Sequence, residues 1–200
     1  MSTNRKRLEI YESLKRSQKH FHVNGKKTKR NVVPKGMYNL LMWIKREYNN
    51  PNVIVTENGV SDRGGLEDYA RVDYYNMYLS AVLDAMEDGA NVEGYIAWSL
   101  MDSYEWKAGF TEKFGLYHVD FTDPQRKRTP KISARVFSHI CKTHTIDWNY
   151  RPSLDNEQIH AMSRLSDLET NSGIKTNYAN QFLTCTSLLL TIILAKICII

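Results

Sequence analysis

Between Val32 and Asp147 the apolar positions switch repeatedly between two periods. Met37, Leu40, Leu41, Ile44 and Tyr48 recur at helical spacing behind Pro34, which predicts an amphipathic helix of about three turns. Val53 to Thr56 (VIVT) is instead a short β-branched run of the kind buried in parallel sheets. Tyr75, Tyr78, Leu79, Val82, Leu83 and Met86 form a second helical stripe, which Gly89 is suited to stop. Gly94 to Leu100 (GYIAWSL) reads as a second buried strand. A last helix is signalled by Thr129 as N-cap and Pro130 in the first turn, with Ile132, Val136, Phe137, Ile140 and Cys141 on one face.

The order is helix, strand, helix, strand, helix. Parallel strands need crossover helices, so this alternation predicts a parallel α/β layer. Two strands do not make a stable parallel sheet by themselves. The layer is therefore expected to be incomplete, or to depend on another chain.

Charge divides the sequence. Residues 1 to 30 hold ten Lys and Arg against Glu9 and Glu12, a local balance of +8, whereas the whole chain is only +5. The body is thus mildly acidic, and nothing in it points to nucleic acid. Residues 1–31 read as a basic solvated arm or short helix, without the apolar stretch of a secretory signal. Cys141, Cys185 and Cys198 show no metal-ligand spacing, and they support neither a disulfide scaffold nor a zinc site. Cys141, on the apolar side of its helix, is expected to be a core thiol.

Residues 148–181 form a polar linker, and 182–200 a hydrophobic tail interrupted by Lys196. Asn171, Ser172 and Gly173, a mostly polar spacer and then the apolar end follow the order of a glycolipid (GPI) attachment signal. A tail helix in a membrane is the competing reading. Either way, the membrane is an expected partner, and the full-length parent is expected in the secretory pathway or on the extracellular face of a membrane.

Three strings carry chemistry: VTENG around Glu57, WSLMDSYEW from Trp98 to Trp106, and FGLYHVDF from Phe114. In this order, with VVPKGMYNLLMWIKREYNN ahead of them, they closely resemble the end of β-glucosidases of glycoside hydrolase family 1. The resemblance covers residues 32–147 and leaves the basic segment 1–31 outside it as a non-family arm. It implies an α/β fold, the C-terminal part of a TIM (β/α)8 barrel, with the two strands as its seventh and eighth. In such barrels the active site lies at the C-terminal ends of the strands.

The resemblance also implies roles. Glu57 resembles the family nucleophile, the carboxylate that attacks the anomeric carbon in a retaining double displacement. Asn58-Gly59 would also suit a hairpin turn, but a helix, not a strand, is predicted next. Trp98 and Trp106 resemble the family's sugar-platform tryptophans, and Glu105 the residue that accepts hydrogen bonds from sugar hydroxyls. Phe114 matches an aromatic near the outer hydroxyl, though a core position explains it nearly as well. Arg71 aligns with a family arginine for which barrel stabilisation is at least as good an account as a direct role. Ser103-Tyr104 stands where many relatives have Asn-Phe, which bears on substrate preference.

Retaining chemistry needs a second carboxyl group about 5 Å from the nucleophile. The family supplies it from an Asn-Glu-Pro motif, and these 200 residues contain no such motif. The expected function is therefore hydrolysis of a β-glycoside by the family, with this stretch inactive by itself. The alternative is a membrane-tethered, non-catalytic sugar-binding or receptor-like relative. No metal or cofactor is expected.

Overall fold

A computed structural model describes residues 22, 23, 26, 27, 32–156, 159, 160 and 163. Two short strands come first, β1 (His22–Val23) and β2 (Lys26–Lys27), paired antiparallel with His22 opposite Lys27. The rest of the basic segment, expected as an arm or short helix, lies outside the described residues.

Pro34 opens α1 (Pro34–Glu47), as its fixed φ and missing N–H favour. Leu41 is buried and Met37 packs on the core, but Leu40 and Tyr48, expected in the apolar stripe, are exposed. Among the described elements α1 packs chiefly on one helix, so it buries a narrow strip rather than a broad face.

That helix is α2 (Tyr69–Glu87), the crossover between β3 (Val53–Asn58) and β4 (Val92–Ala97), which pair in parallel. Burial reaches nearly all round α2, including Tyr74, Tyr75, Leu79, Val82 and Ala85. Gly89 follows it at φ +85°, as expected of the stop. The main core joins these side chains to Leu41, Val92, Tyr95 and Leu116. Each fully buried large aliphatic contributes roughly 1.5–3 kcal/mol relative to exposure. Among the described residues the other face of the sheet is uncovered. Ile54, from a run that reads as buried on both faces, is 52 % exposed.

β4 spans Val92–Ala97 rather than Gly94 to Leu100. The Trp98–Ser99 peptide is cis, and the chain leaves the sheet there. A hairpin not foreseen from the sequence follows, β5 (Tyr117–Val119) against β6 (Arg128–Pro130). Thr129 and Pro130 belong to this ladder, so α3 (Ile132–Thr143) begins after Lys131 and the expected Thr129 cap is not made. Strands of three residues leave too short a period to read. Val136 and Ile132 of α3 close a second cluster with Val72.

Cys141 is disulfide-bonded, which corrects the expected core thiol. Asn171, Ser172, Gly173 and the hydrophobic tail lie outside the described residues. Among the described residues no helix is long and apolar enough to cross a membrane.

Candidate active site

Glu57 lies one residue before the end of β3, and the local register turns it outward. Val55 pairs with Tyr95 and Asn58 with Ala97, so three steps along β3 match two along β4. Side chains of a regular strand alternate between faces, which would make either Thr56 or Glu57 point into the helix layer. The extra residue breaks that alternation, and both side chains are exposed. An opposite shift between Val53 and Ile54 restores the register at the other end of the pair.

The strand ends beyond Glu57 are tightly joined. Trp98 N–H donates to the Asn58 carbonyl at 2.8 Å, and the Tyr95 hydroxyl donates to Asn58 Oδ1 at 2.5 Å. The Tyr75 hydroxyl donates to the Trp98 carbonyl at 3.3 Å. A Cβ at Gly59 would land far inside contact distance of that same Trp98 carbonyl. Only glycine lets the two strand ends approach this closely. Glu57 and Trp98 are thereby brought to neighbouring positions on one end of the sheet.

Trp98 is 38 % exposed, and Trp106 is 85 % exposed at the tip of the following loop. Trp106 opens a single 3-10 turn, Trp106–Ala108. Glu105 precedes it, half-buried, and accepts a hydrogen bond from Ser103 Oγ at 3.1 Å. Phe114 is only 5 % exposed, and its carbonyl accepts from Ser99 N–H at 3.0 Å. The structure thus places Glu57 on β3, Trp98 directly after β4, Glu105 and Trp106 in the loop that follows, and Phe114 inside, behind Ser99.

Beneath this surface is a layer of buried charge that sequence reasoning missed apart from Arg71. Arg71 is almost fully enclosed and forms ion pairs with Asp62 and Asp68, each at 2.6 Å. It also donates to the carbonyls of Val60, Lys113 and Gly115. Burial opposes its charge, but Asp62 and Asp68 outweigh that and hold its pKa above the ordinary value. Arg71 therefore ties the loop after β3 to the loop after β4. Asp68 in turn accepts from the backbone N–H and hydroxyl of Ser133, which anchors the start of α3.

A second buried pair joins Lys131 Nζ to Asp102 Oδ1 at 2.9 Å, with neither side chain exposed. Burial works against the ionised Asp102, yet His118, whose Nδ1 faces Oδ2 at 3.6 Å, and Lys131 hold its pKa below the ordinary carboxylate range. Burial, and then the neighbouring Arg71, lower the pKa of Lys131. No run or spacing announces these residues; the only signal is a charge beside apolar motif positions. Among the described residues no cluster of three or more His, Cys, Asp or Glu is placed to hold a metal.

The chain matches the family described as Glycosyl hydrolase family 1 over residues 2–146, a span that takes in the basic segment as well as the α/β layer. Myrosinase 1 of Brevicoryne brassicae is 47 % identical over 112 residues, 56 % of this chain and 24 % of that protein. The family 1 β-glucosidase of Thermotoga maritima superimposes with a TM-score of 0.57 at 32 % identity, over 61 % of this chain and 29 % of its own. A β-glucosidase from the fungus Humicola insolens, solved in complex with glucose, gives 0.52 at 40 % identity, over 55 % of this chain and 25 % of its own. The chain spans about a quarter of the length of these relatives. Its β3-α2-β4 unit, with the flanking helices, is accordingly part of a (β/α)8 barrel. Matched over well over half of its length, the chain belongs to glycosyl hydrolase family 1.

Proposed function

We propose that this chain contributes the nucleophile half of a retaining β-glucosidase site, with Glu57 attacking the anomeric carbon. The observation that carries the reading is the displaced register at Thr56 and Glu57. It turns a carboxylate outward at the C-terminal end of a barrel strand, where chemistry in this fold is located. Exposed indole faces at Trp98 and Trp106 offer flat apolar surfaces for the C–H face of a pyranose, and Glu105 offers an acceptor for its hydroxyls. In this reading Phe114 supports the wall from within rather than touching the sugar.

The reaction needs two carboxyl groups in two roles. Glu57 bonds to the anomeric carbon as the leaving oxygen is protonated, and water then releases the sugar with the second group acting as base. That second group, in this proposal, comes from polypeptide outside these 200 residues. Lipid anchoring at Asn171, Ser172 or Gly173 remains part of the proposal for the parent protein, and release from cells by a GPI-specific phospholipase checks it.

The test uses the purified 200-residue chain beside a chimera in which residues 32–147 replace the matching quarter of Brevicoryne brassicae myrosinase. Hydrolysis of an aryl β-glucoside is expected from the chimera, abolished by Glu57→Gln, and absent from the chain alone. Turnover by the chain alone that disappears on Glu57→Gln would refute the need for a second polypeptide segment.

A further inference from the structure

The loop carrying Glu105 and Trp106 has a stapled base, and its tip is held by short-range bonds and by Phe110, which packs between Tyr104 and Phe121 with ring centroids 5.5 Å and 4.3 Å away. Within the tip, Glu105 N–H donates to Gly109 O at 2.7 Å, Ala108 N–H to Glu105 O at 2.8 Å, and Gly109 N–H to Trp106 O at 3.1 Å. These bonds keep the turn in shape, and its direction is set by the loop base together with the Phe110–Phe121 contact. At the base, Asp102 N–H donates to Tyr117 O at 3.0 Å, while Gly115 N–H donates back to Asp102 Oδ1 at 2.9 Å. One carboxylate thus bridges both ends of the intervening residues 103–114. A Cβ at Gly115 would collide with the backbone of Asp102 and Met101, so the two ends meet as closely as backbone allows.

The staple is itself held. Asp102 Oδ1 takes a second donor, the fully buried Lys131 Nζ, at 2.9 Å, and Lys131 N–H donates to Leu116 O at 2.9 Å. Buried carboxylates keep their orientation only when their lone pairs are engaged by fixed donors. Lys131 immediately precedes α3, so the loop base is referred to a helix packed on α2.

We propose that Asp102, locked by Lys131, is a positioning residue that sets the stance of Glu105 and Trp106. It touches no substrate. Its role is to join the two legs of the loop and to transmit the fixed position of α3 to the tip. The proposal rests on the sugar-facing reading of Glu105 and Trp106 for its functional meaning, but its geometry stands apart from that reading.

The test is fluorine NMR on the full chain labelled with 5-fluorotryptophan, the Trp106 signal being assigned through Trp106→Phe. Asp102→Asn and Lys131→Met are expected to shift or split the Trp106 resonance while that of Trp43 on α1, assigned through Trp43→Phe, stays in place. Val82→Ala, in the core away from the loop, is expected to lower the unfolding midpoint and leave Trp106 unmoved. Should the single variants fail to fold, Asp102→Leu with Lys131→Met removes both charges together. Its Trp106 signal is expected to be displaced even though the buried charges are gone. An unmoved Trp106 resonance in any folded Asp102 or Lys131 variant overturns the proposal and leaves Asp102 a stabiliser only. Failure of the sugar-facing reading is seen separately, as undiminished glucoside turnover by the Trp106→Ala chimera with the Trp106 shift of Asp102→Asn still present.

Discussion

Replacing Arg71 with methionine should be among the most damaging single changes available to this chain. The substitution keeps much of the side-chain volume but removes two ion pairs and three hydrogen bonds to backbone carbonyls. Asp62 and Asp68 remain, both buried, and Asp62 has no other cation in direct contact among the described residues. Breaking a buried pair by removing one partner costs about 3–5 kcal/mol. Set against a total of roughly 5–15 kcal/mol for a domain, this brings the fold close to its limit. With a urea dependence of about 2 kcal/mol/M, the midpoint of unfolding should fall by roughly 2 M.

The assay is urea denaturation of the full chain followed by far-ultraviolet circular dichroism at pH 7. A second measurement fixes the cause. Burial already raises the pKa of Asp62 against the pull of Arg71, so without Arg71 it rises further. A carboxyl group with a raised folded-state pKa binds a proton more readily folded than unfolded, so lowering the pH toward that value stabilises the fold. The deficit of Arg71→Met should therefore shrink between pH 7 and pH 5, and Asp62→Leu in the same chain should recover part of it. A deficit below about 0.5 kcal/mol, the scale of ordinary surface changes, would refute the account of Arg71 as a clamp.

Gly59→Ala should destabilise by about 1–3 kcal/mol or more, because its Cβ meets the Trp98 backbone rather than a movable side chain; thermal unfolding checks this. Asp102→Asn should cost about 3 kcal/mol at neutral pH. The Asp102 pKa is lowered in the fold, so the contribution is present above the unfolded value of about 3.9 and is lost as the pH falls through the folded value. The gap between parent and variant should close on acidification, as measured by denaturation at a series of pH values. Trp106→Ala should change stability by less than about 0.5 kcal/mol, given its exposure, while removing the most strongly iodide-quenched part of the tryptophan emission, since Trp43 and Trp98 are less exposed.

What could be read from sequence followed period and punctuation. The stripe from Tyr75 to Met86, the stop at Gly89 and the strand beginning at Val53 are periodic over enough residues to be recognised, and all three are present. The β5–β6 hairpin was illegible because each strand is three residues long. Thr129-Pro130 imitated a helix start, but pairing with Tyr117 and His118 took those residues into a ladder. Exposure of Ile54 was equally hidden, since a run such as VIVT records the burial of a complete barrel and not of one βαβ unit. In the site, Glu57, Trp98, Glu105 and Trp106 were found through motif resemblance. The register shift that turns Glu57 outward depends on pairing with β4, which no local pattern encodes. The ion pairs of Arg71 and Asp102 join residues far apart in the chain, so their partners appear only once the loops are folded together.

The central claim is that Glu57 is the nucleophile, and trapping its covalent intermediate tests this most directly. The chimera, treated with 2-deoxy-2-fluoro-β-glucosyl fluoride, should be modified once. Peptide mapping by mass spectrometry should place the sugar on the fragment containing Glu57, and Glu57→Gln should abolish the modification. A label on any other carboxylate, or one that persists in Glu57→Gln, would contradict the account.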